Sequence, residues 1–81
     1  MPHRVIFYTK PGCHLCEIAQ AQLRELAREF EIAIDEKDIT RDDALFKQYF
    51  DKIPVLVIDD HITLAAPIRI EEMRAAFHRS A

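Results

Sequence analysis

The sequence has one glycine, no tryptophan and two cysteines in 81 residues. So little glycine excludes a collagen-like or low-complexity chain. A secreted disulfide scaffold would carry more cysteines, spread along its length, whereas Cys13 and Cys16 stand three positions apart. No apolar run approaches the ~20 residues that span a bilayer; the longest are Val5-Ile6-Phe7-Tyr8 and Val55-Leu56-Val57-Ile58. There is no excess of positive charge. Eleven Lys and Arg stand against fourteen Asp and Glu, a net charge of −3, so neither nucleic acid nor an anionic membrane is expected as a partner. Repeats, linkers and biased segments are absent too. Met1-Pro2-His3-Arg4 runs straight into strand-like residues with no room for a signal peptide. We therefore expect a cytoplasmic, monomeric protein whose residues 1–81 form a single domain. Its small core leaves no space for a large internal substrate cavity.

What is present is regular periodicity. Residues 4–9 are β-branched and aromatic and read as a buried strand, broken by Lys10-Pro11-Gly12. Leu15, Ile18, Ala19, Leu23, Leu26, Ala27 and Phe30 then recur at spacings of three and four, which predicts an amphipathic helix over about 14–30. Ile32 and Ile34 alternate with Glu31, Ala33 and Asp35 as a second short strand. Thr40 is placed to cap a second helix, with Asp42 and Asp43 in its first turn and Leu45, Phe46, Tyr49 and Phe50 facing inward. Pro54 ends that pattern. Val55–Ile58 is a central strand, Asp59-Asp60-His61 a hairpin turn without the usual glycine, and Ile62–Leu64 the return strand. After Pro67, Ile70, Met73, Ala76 and Phe77 mark a last helix. The order β-α-β-α-β-β-α is an α/β fold: a parallel crossover joined to an antiparallel hairpin, with helices covering the sheet.

Cys13-His14-Leu15-Cys16 falls where the first strand hands over to the first helix. Residues i and i+3 of a helix have Cα atoms about 5 Å apart, within the range a disulfide accepts. The sulfurs can therefore join and part with little backbone movement. The two thiols are not equivalent. Cys13 sits at the helix start, where unpaired N–H groups and the positive dipole end favour a thiolate. Beside Pro11 and Gly12 we expect it to be exposed, with Cys16 buried. Cys13 is then the attacking nucleophile and Cys16 the resolving thiol. Lowering a thiol from pKa ~8.5 to ~6.5 raises its thiolate fraction near neutrality from about 3% to about 75%. Intrinsic nucleophilicity falls roughly 6–10-fold over the same range, so the gain in attack is a few-fold and the better leaving ability of Cys13 counts as much.

Other uses of the pair stay open here. A structural disulfide would be opened in a reducing cytosol. Structural zinc needs four ligands, and His3, His14, His61 and His78 lack the usual short spacing. A binding module, with Cys13 and Cys16 holding a metal or an iron–sulfur cluster, would reveal itself by colour and metal content. An adaptor that had lost turnover would keep the dithiol but reduce disulfides no faster than a free thiol.

Tyr8-Thr9-Lys10-Pro11-Gly12-Cys13-His14-Leu15-Cys16, followed by a helix and later by Ile53-Pro54-Val55-Leu56, resembles the glutaredoxin-like branch of the thioredoxin fold. It looks closest to a group of short glutaredoxin-like proteins, and the resemblance covers nearly the whole chain. It implies a four-stranded mixed sheet flanked by three helices, and a thiol–disulfide oxidoreductase with a redox-active Cys13–Cys16 disulfide. It implies a cis Ile53–Pro54 peptide facing the cysteines, whose backbone receives the extended chain of a protein disulfide substrate by strand addition. Lys10 matches the lysine that meets a glutathione carboxylate in the family. The small and acidic residues of glutathione-binding members do not reappear: Leu64, Ala65 and Pro67 stand there instead. The expected partners are thus protein disulfides and, as electron source, a reductase or a low-molecular-weight thiol, with glutathione a poor specific ligand. The chemistry requires no cofactor and no metal.

Overall fold

A computed structural model describes residues 2–80. The chain runs β1 (His3–Thr9), α1 (His14–Leu26), β2 (Ile32–Asp38), a 3₁₀ turn (Ile39–Arg41), α2 (Asp43–Tyr49), β3 (Val55–Ile58), β4 (Ile62–Ala65) and α3 (Ile70–Arg79). The strands form one sheet in the order β2-β1-β3-β4. β1 pairs with β2 in parallel, and the other two pairings are antiparallel. This is the mixed sheet with three helices that the element order predicts.

Alternation along the strands decides the layers. Val5 and Phe7 of β1 and Leu56 and Ile58 of β3 turn to one face. There they join Cys16, Ala19, Leu23 and Leu26 of α1 and Met73, Ala76 and Phe77 of α3 in a single core. The opposite face is covered more thinly. Tyr8 stacks on Tyr49 of α2, ring centroids 4.4 Å apart. Burial, and then the neighbouring Tyr49, pushes the Tyr8 phenol up.

Several elements differ from the sequence expectation. α1 ends at Leu26, not near residue 30. Arg28 and Glu29 donate to carbonyls three residues back, Glu25 and Leu26, so the chain tightens out of α geometry while apolar spacing continues. Phe30 lies outside the helix and still packs against the core. The buried stripe of α1 is centred on Cys16, Ala19, Leu23 and Leu26; Leu15 and Ile18 are exposed, as is Ala27. Thr40 is not the cap of α2. Its amide and hydroxyl both donate to Asp38, at 2.9 and 2.6 Å, and Asp42 caps α2 by accepting from the amides of Ala44 and Leu45. Phe46 and Phe50 do not face inward. Within the seven-residue α2 only Leu45 and Tyr49 are half-buried, Tyr49 against Tyr8 of the sheet, and the two phenylalanines stack on each other in solvent. β2 extends three residues beyond Asp35, and β4 runs on to Ala65.

The hairpin turn manages without glycine because Asp59 and Asp60 both adopt left-handed backbone geometry, φ 51° and 66°, which Asp tolerates better than most residues. Asp59 also fastens three chain segments. Its carboxylate accepts from the Arg4 amide at 2.7 Å, from His3 Nδ1 at 2.7 Å and from the Ser80 hydroxyl. The start of β1, the hairpin and the end of α3 meet on this one side chain. Burial pushes the Asp59 carboxyl up, but the His3, Ser80 and Arg4 hydrogen bonds outweigh it and hold it at about 2, against an ordinary 3.8. A depressed carboxyl contributes stability that is complete above its unfolded pKa and is lost as pH falls through its folded one. The difference corresponds to about 2 kcal/mol. Asp59→Asn should therefore lower unfolding stability by about 2 kcal/mol near neutral pH, and the gap to wild type should close as pH falls from 4 to 2. Urea denaturation of both proteins across that range checks the size and the sign.

Candidate functional site

β1 is hydrogen-bonded on both sides and can only leave the sheet at its end. Lys10-Pro11-Gly12 makes the exit. Gly12 has φ 74°, a left-handed conformation that costs a residue with a Cβ. No atom lies within 4 Å of where that Cβ would stand, so backbone conformation rather than space calls for glycine. The chain then enters α1 with Cys13 as its N-cap, φ −92° and ψ 105°.

Cys13 does as a cap what Ser or Asp does elsewhere. Its sulfur accepts the backbone N–H of Cys16 at 3.1 Å, and its carbonyl accepts from Glu17 at 3.1 Å, the first helical bond. A group that accepts an N–H at a helix N-terminus gains further by carrying negative charge. The Cys13 and Cys16 sulfurs are bonded to each other, with Cα atoms 5.2 Å apart. Cys16 is 3% exposed. Cys13 is half-buried rather than exposed, because its side chain leans on the core while Pro11 and Gly12 remain in solvent. His14 is well exposed, with Nδ1 3.9 Å from the Glu17 carboxylate.

The other predicted residues lie at the same end of the sheet. Lys10 is exposed directly after β1. Ile53 and Pro54 lead into β3, whose Val55 pairs with Tyr8 near the end of β1. The Ile53–Pro54 peptide is cis, as is Ala66–Pro67. Pro54 is buried and Ile53 half-buried against the core. The Ile53 amide donates to the Tyr49 carbonyl at 3.1 Å, and the Pro54 carbonyl accepts from the Ala66 amide at 3.0 Å. Those two groups are thus engaged within the chain.

Two adjoining clefts flank this end. The larger, about 470 Å³, is lined by Thr9, Lys10, Pro11, Glu36, Asp38 and Arg41. The smaller, about 200 Å³, is lined by both cysteines together with Phe7, Thr9, Lys10, Pro11, Gly12, Glu17, Gln20 and Glu36. Glu36, Asp38 and Arg41 do not emerge from the sequence as site residues, because the second strand reads there as ending near Asp35. The register supplies what periodicity lacks: Phe7 pairs with Glu36 and Thr9 with Asp38, so β2 delivers two carboxylates beside the end of β1. The Asp38 carboxyl is held below its ordinary value by hydrogen bonds from the Thr40 hydroxyl and then the Thr40 amide, with Arg41 adding to them. Among the described residues, no group of three or more His, Cys, Asp or Glu is arranged to hold a metal ion. Nor, among the described residues, is any helix long and apolar enough to cross a membrane.

Comparison with solved structures returns protein XcR50 from X. campestris, 28% identical with TM-score 0.81, covering 95% of this chain and 99% of that one. Protein Ne2328 from Nitrosomonas europaea is 29% identical with TM-score 0.72, covering 94% and 92%. Thioredoxin O2 from Arabidopsis thaliana, in its oxidized state, is 14% identical with TM-score 0.74, covering 96% and 74%, a likeness of fold. The search of curated proteins gave no match. The family profile for the glutaredoxin-like domain (DUF836) matches residues 4–78. A strand–turn–helix unit with its cysteine pair at the helix start, set in a sheet of order β2-β1-β3-β4, is thus accompanied by a match over nearly the whole chain: the protein belongs to the glutaredoxin-like domain family and has the thioredoxin fold.

Proposed function

We propose that the protein is a thiol–disulfide oxidoreductase acting on protein disulfides. The observation that carries this reading is the cap geometry: the Cys13 sulfur takes the Cys16 amide at 3.1 Å at the start of a thirteen-residue helix. In the reduced protein that N–H and the helix dipole favour a thiolate on Cys13. The thiolate attacks one sulfur of the substrate disulfide and the other leaves as a thiolate. Cys16 then attacks Cys13, forms the intramolecular disulfide and releases the second substrate thiolate. Two electrons pass from the dithiol to the substrate. The nearly inaccessible Cys16 suits the second step, since it reaches only a partner already attached to Cys13. The exposed Lys10 and the Ile53–Pro54 segment border the same end of the sheet and are the proposed docking elements. A dithiol reductase is the proposed electron source, because Leu64, Ala65 and Pro67 replace the residues that would cradle glutathione.

Three outcomes test this reading. Limiting alkylation of the reduced protein should label Cys13 well before Cys16; peptide mapping checks it, and preferential labelling of Cys16 reverses the roles. Cys16→Ser should accumulate mixed disulfides with substrate proteins while Cys13→Ser should not, as non-reducing gels would show. In NADPH-consumption assays, turnover should couple better to a thioredoxin-reductase-type enzyme than to glutathione with its reductase. Losing one charge-assisted contact costs ~1.5–3 kcal/mol, so glutathione affinity should fall roughly ten- to a hundredfold below that of a complete site. Efficient, saturable coupling to glutathione would sink this last expectation.

A further inference from the structure

Resting on that reading, a second question is how a protein partner is held beside the cysteines. Both ends of α2 are fixed at the site end of the sheet. The helix begins shortly after β2 has delivered Asp38 opposite Thr9, and it ends shortly before Val55 takes its place opposite Tyr8. Phe46 and Phe50 follow the half-buried Leu45 and Tyr49 by one residue each, about 100° round the helix. They therefore flank the buried side of α2 rather than oppose it. Their rings are stacked, with centroids 5.7 Å apart and planes 16° from parallel, yet they stay 42% and 54% exposed. Exposed aromatic surface of this kind gains by burial against an apolar partner.

Two observations define the occupant. The first is where the backbone is already bonded. The Ile53 amide donates to the Tyr49 carbonyl at 3.1 Å, and the Pro54 carbonyl accepts from the Ala66 amide at 3.0 Å. Strand addition to those two groups is closed, so contact there falls to side chains. The Ile53 bond, with another from the Lys52 amide to the Tyr49 carbonyl at 2.8 Å, also ties the end of α2 to the docking segment, which makes Phe50 continuous with it. The second observation is charge. Asp42, Asp43 and Asp51 stand against Arg41, Lys47 and Lys52 along α2 and its flanks, so no field of one sign selects a charged partner. We propose that the stacked Phe46–Phe50 pair is the docking surface for the protein that carries the disulfide. It selects an apolar side chain, aliphatic or aromatic, in the segment next to the substrate cysteine.

The test uses two short peptides, each with one central cysteine held as a mixed disulfide with a coloured aryl thiol. They differ only in the residues flanking that cysteine, leucine and phenylalanine in one and serine in the other. The Cys13 thiolate of the reduced protein attacks the peptide sulfur, a new S–S bond forms, and the aryl thiolate leaves with the electron pair of the broken bond. The wild type should react with the apolar peptide at least about tenfold faster than with the serine peptide. Phe46→Gln combined with Phe50→Gln should bring the two rates within about twofold, and Phe46→Leu with Phe50→Leu should keep most of the preference. Neither double variant should change the rate with the symmetrical aryl disulfide, which carries no peptide to dock. Equal wild-type rates with the two peptides overturn the proposal, as does a preference that survives the glutamine substitutions. Equal slowing with all three disulfides also overturns it, since the pair would then be structural. So does a wild-type dimer in sedimentation that the glutamine variant abolishes, which would give the surface to a second copy. If the wild type attacks the symmetrical aryl disulfide no faster than a free thiol of matched pKa, the oxidoreductase reading itself fails and the docking role with it.

Discussion

Phe7 of β1 and Leu56 of β3 face each other across an antiparallel pair, both almost completely buried. β1 is also bonded along its other edge to β2 over its full seven residues. Its backbone groups are therefore committed on both sides, and its side chains are buried on one face and half-buried on the other at Ile6 and Tyr8. Such a strand has one freedom left, the direction in which the chain departs at its end. Gly12 sets that direction by its left-handed turn, and α1 must then lie back over Val5 and Phe7 to bury Ala19, Leu23 and Leu26. The first residue of that path able to cap the helix is Cys13. The placement of Cys13 thus follows from how the central strand is enclosed.

The same enclosure divides the molecule into two ends with different chemistry. At one end the finish of β1, the finish of β2 and the approach to β3 converge, which brings Lys10, the cysteines, Glu36, Asp38 and the Ile53–Pro54 segment to one edge. The parallel β1–β2 pairing requires this, since both strands deliver their last residues to the same side. The opposite end carries the fastening. Asp59 ties the start of β1, the hairpin and the end of α3 together, and a two-bond pair between Arg74 and Glu29, at 2.8 and 3.1 Å, joins α3 to the turn after α1. The Asp59 cluster and the Arg74–Glu29 pair thus stand apart from the cysteines.

Much of this is legible in the residues. β-branched and aromatic runs identify β1 and β3, because central strands paired on both edges carry apolar residues on both faces. Cys13 and Cys16 are recognisable from their spacing and from the strand–helix junction they occupy. The errors arise where a local pattern has two physical outcomes. Leu15 and Ile18 continue the helical spacing of α1 as well as Ala19 and Leu23 do, and only the position of the sheet shows that they lie outward. Phe46 and Phe50 have the spacing of a packed stripe, but α2 is too short to press them against anything. Thr40 and Asp42 are both good caps, and the choice went to Asp42 once Asp38 had engaged the Thr40 amide and hydroxyl.

By itself the sequence determined the element order, the two central strands and the identity of the dithiol, since these rest on composition, period and spacing within short windows. Only the tertiary structure decided how far β2 runs, and with it the arrival of Glu36 in the cleft that touches the cysteines and of Asp38 in the cleft adjoining it. The physical reason is that an edge strand of mixed charged residues has no hydrophobic period of its own. Its length is set by the hydrogen bonds that a neighbouring strand, distant in sequence, offers to it.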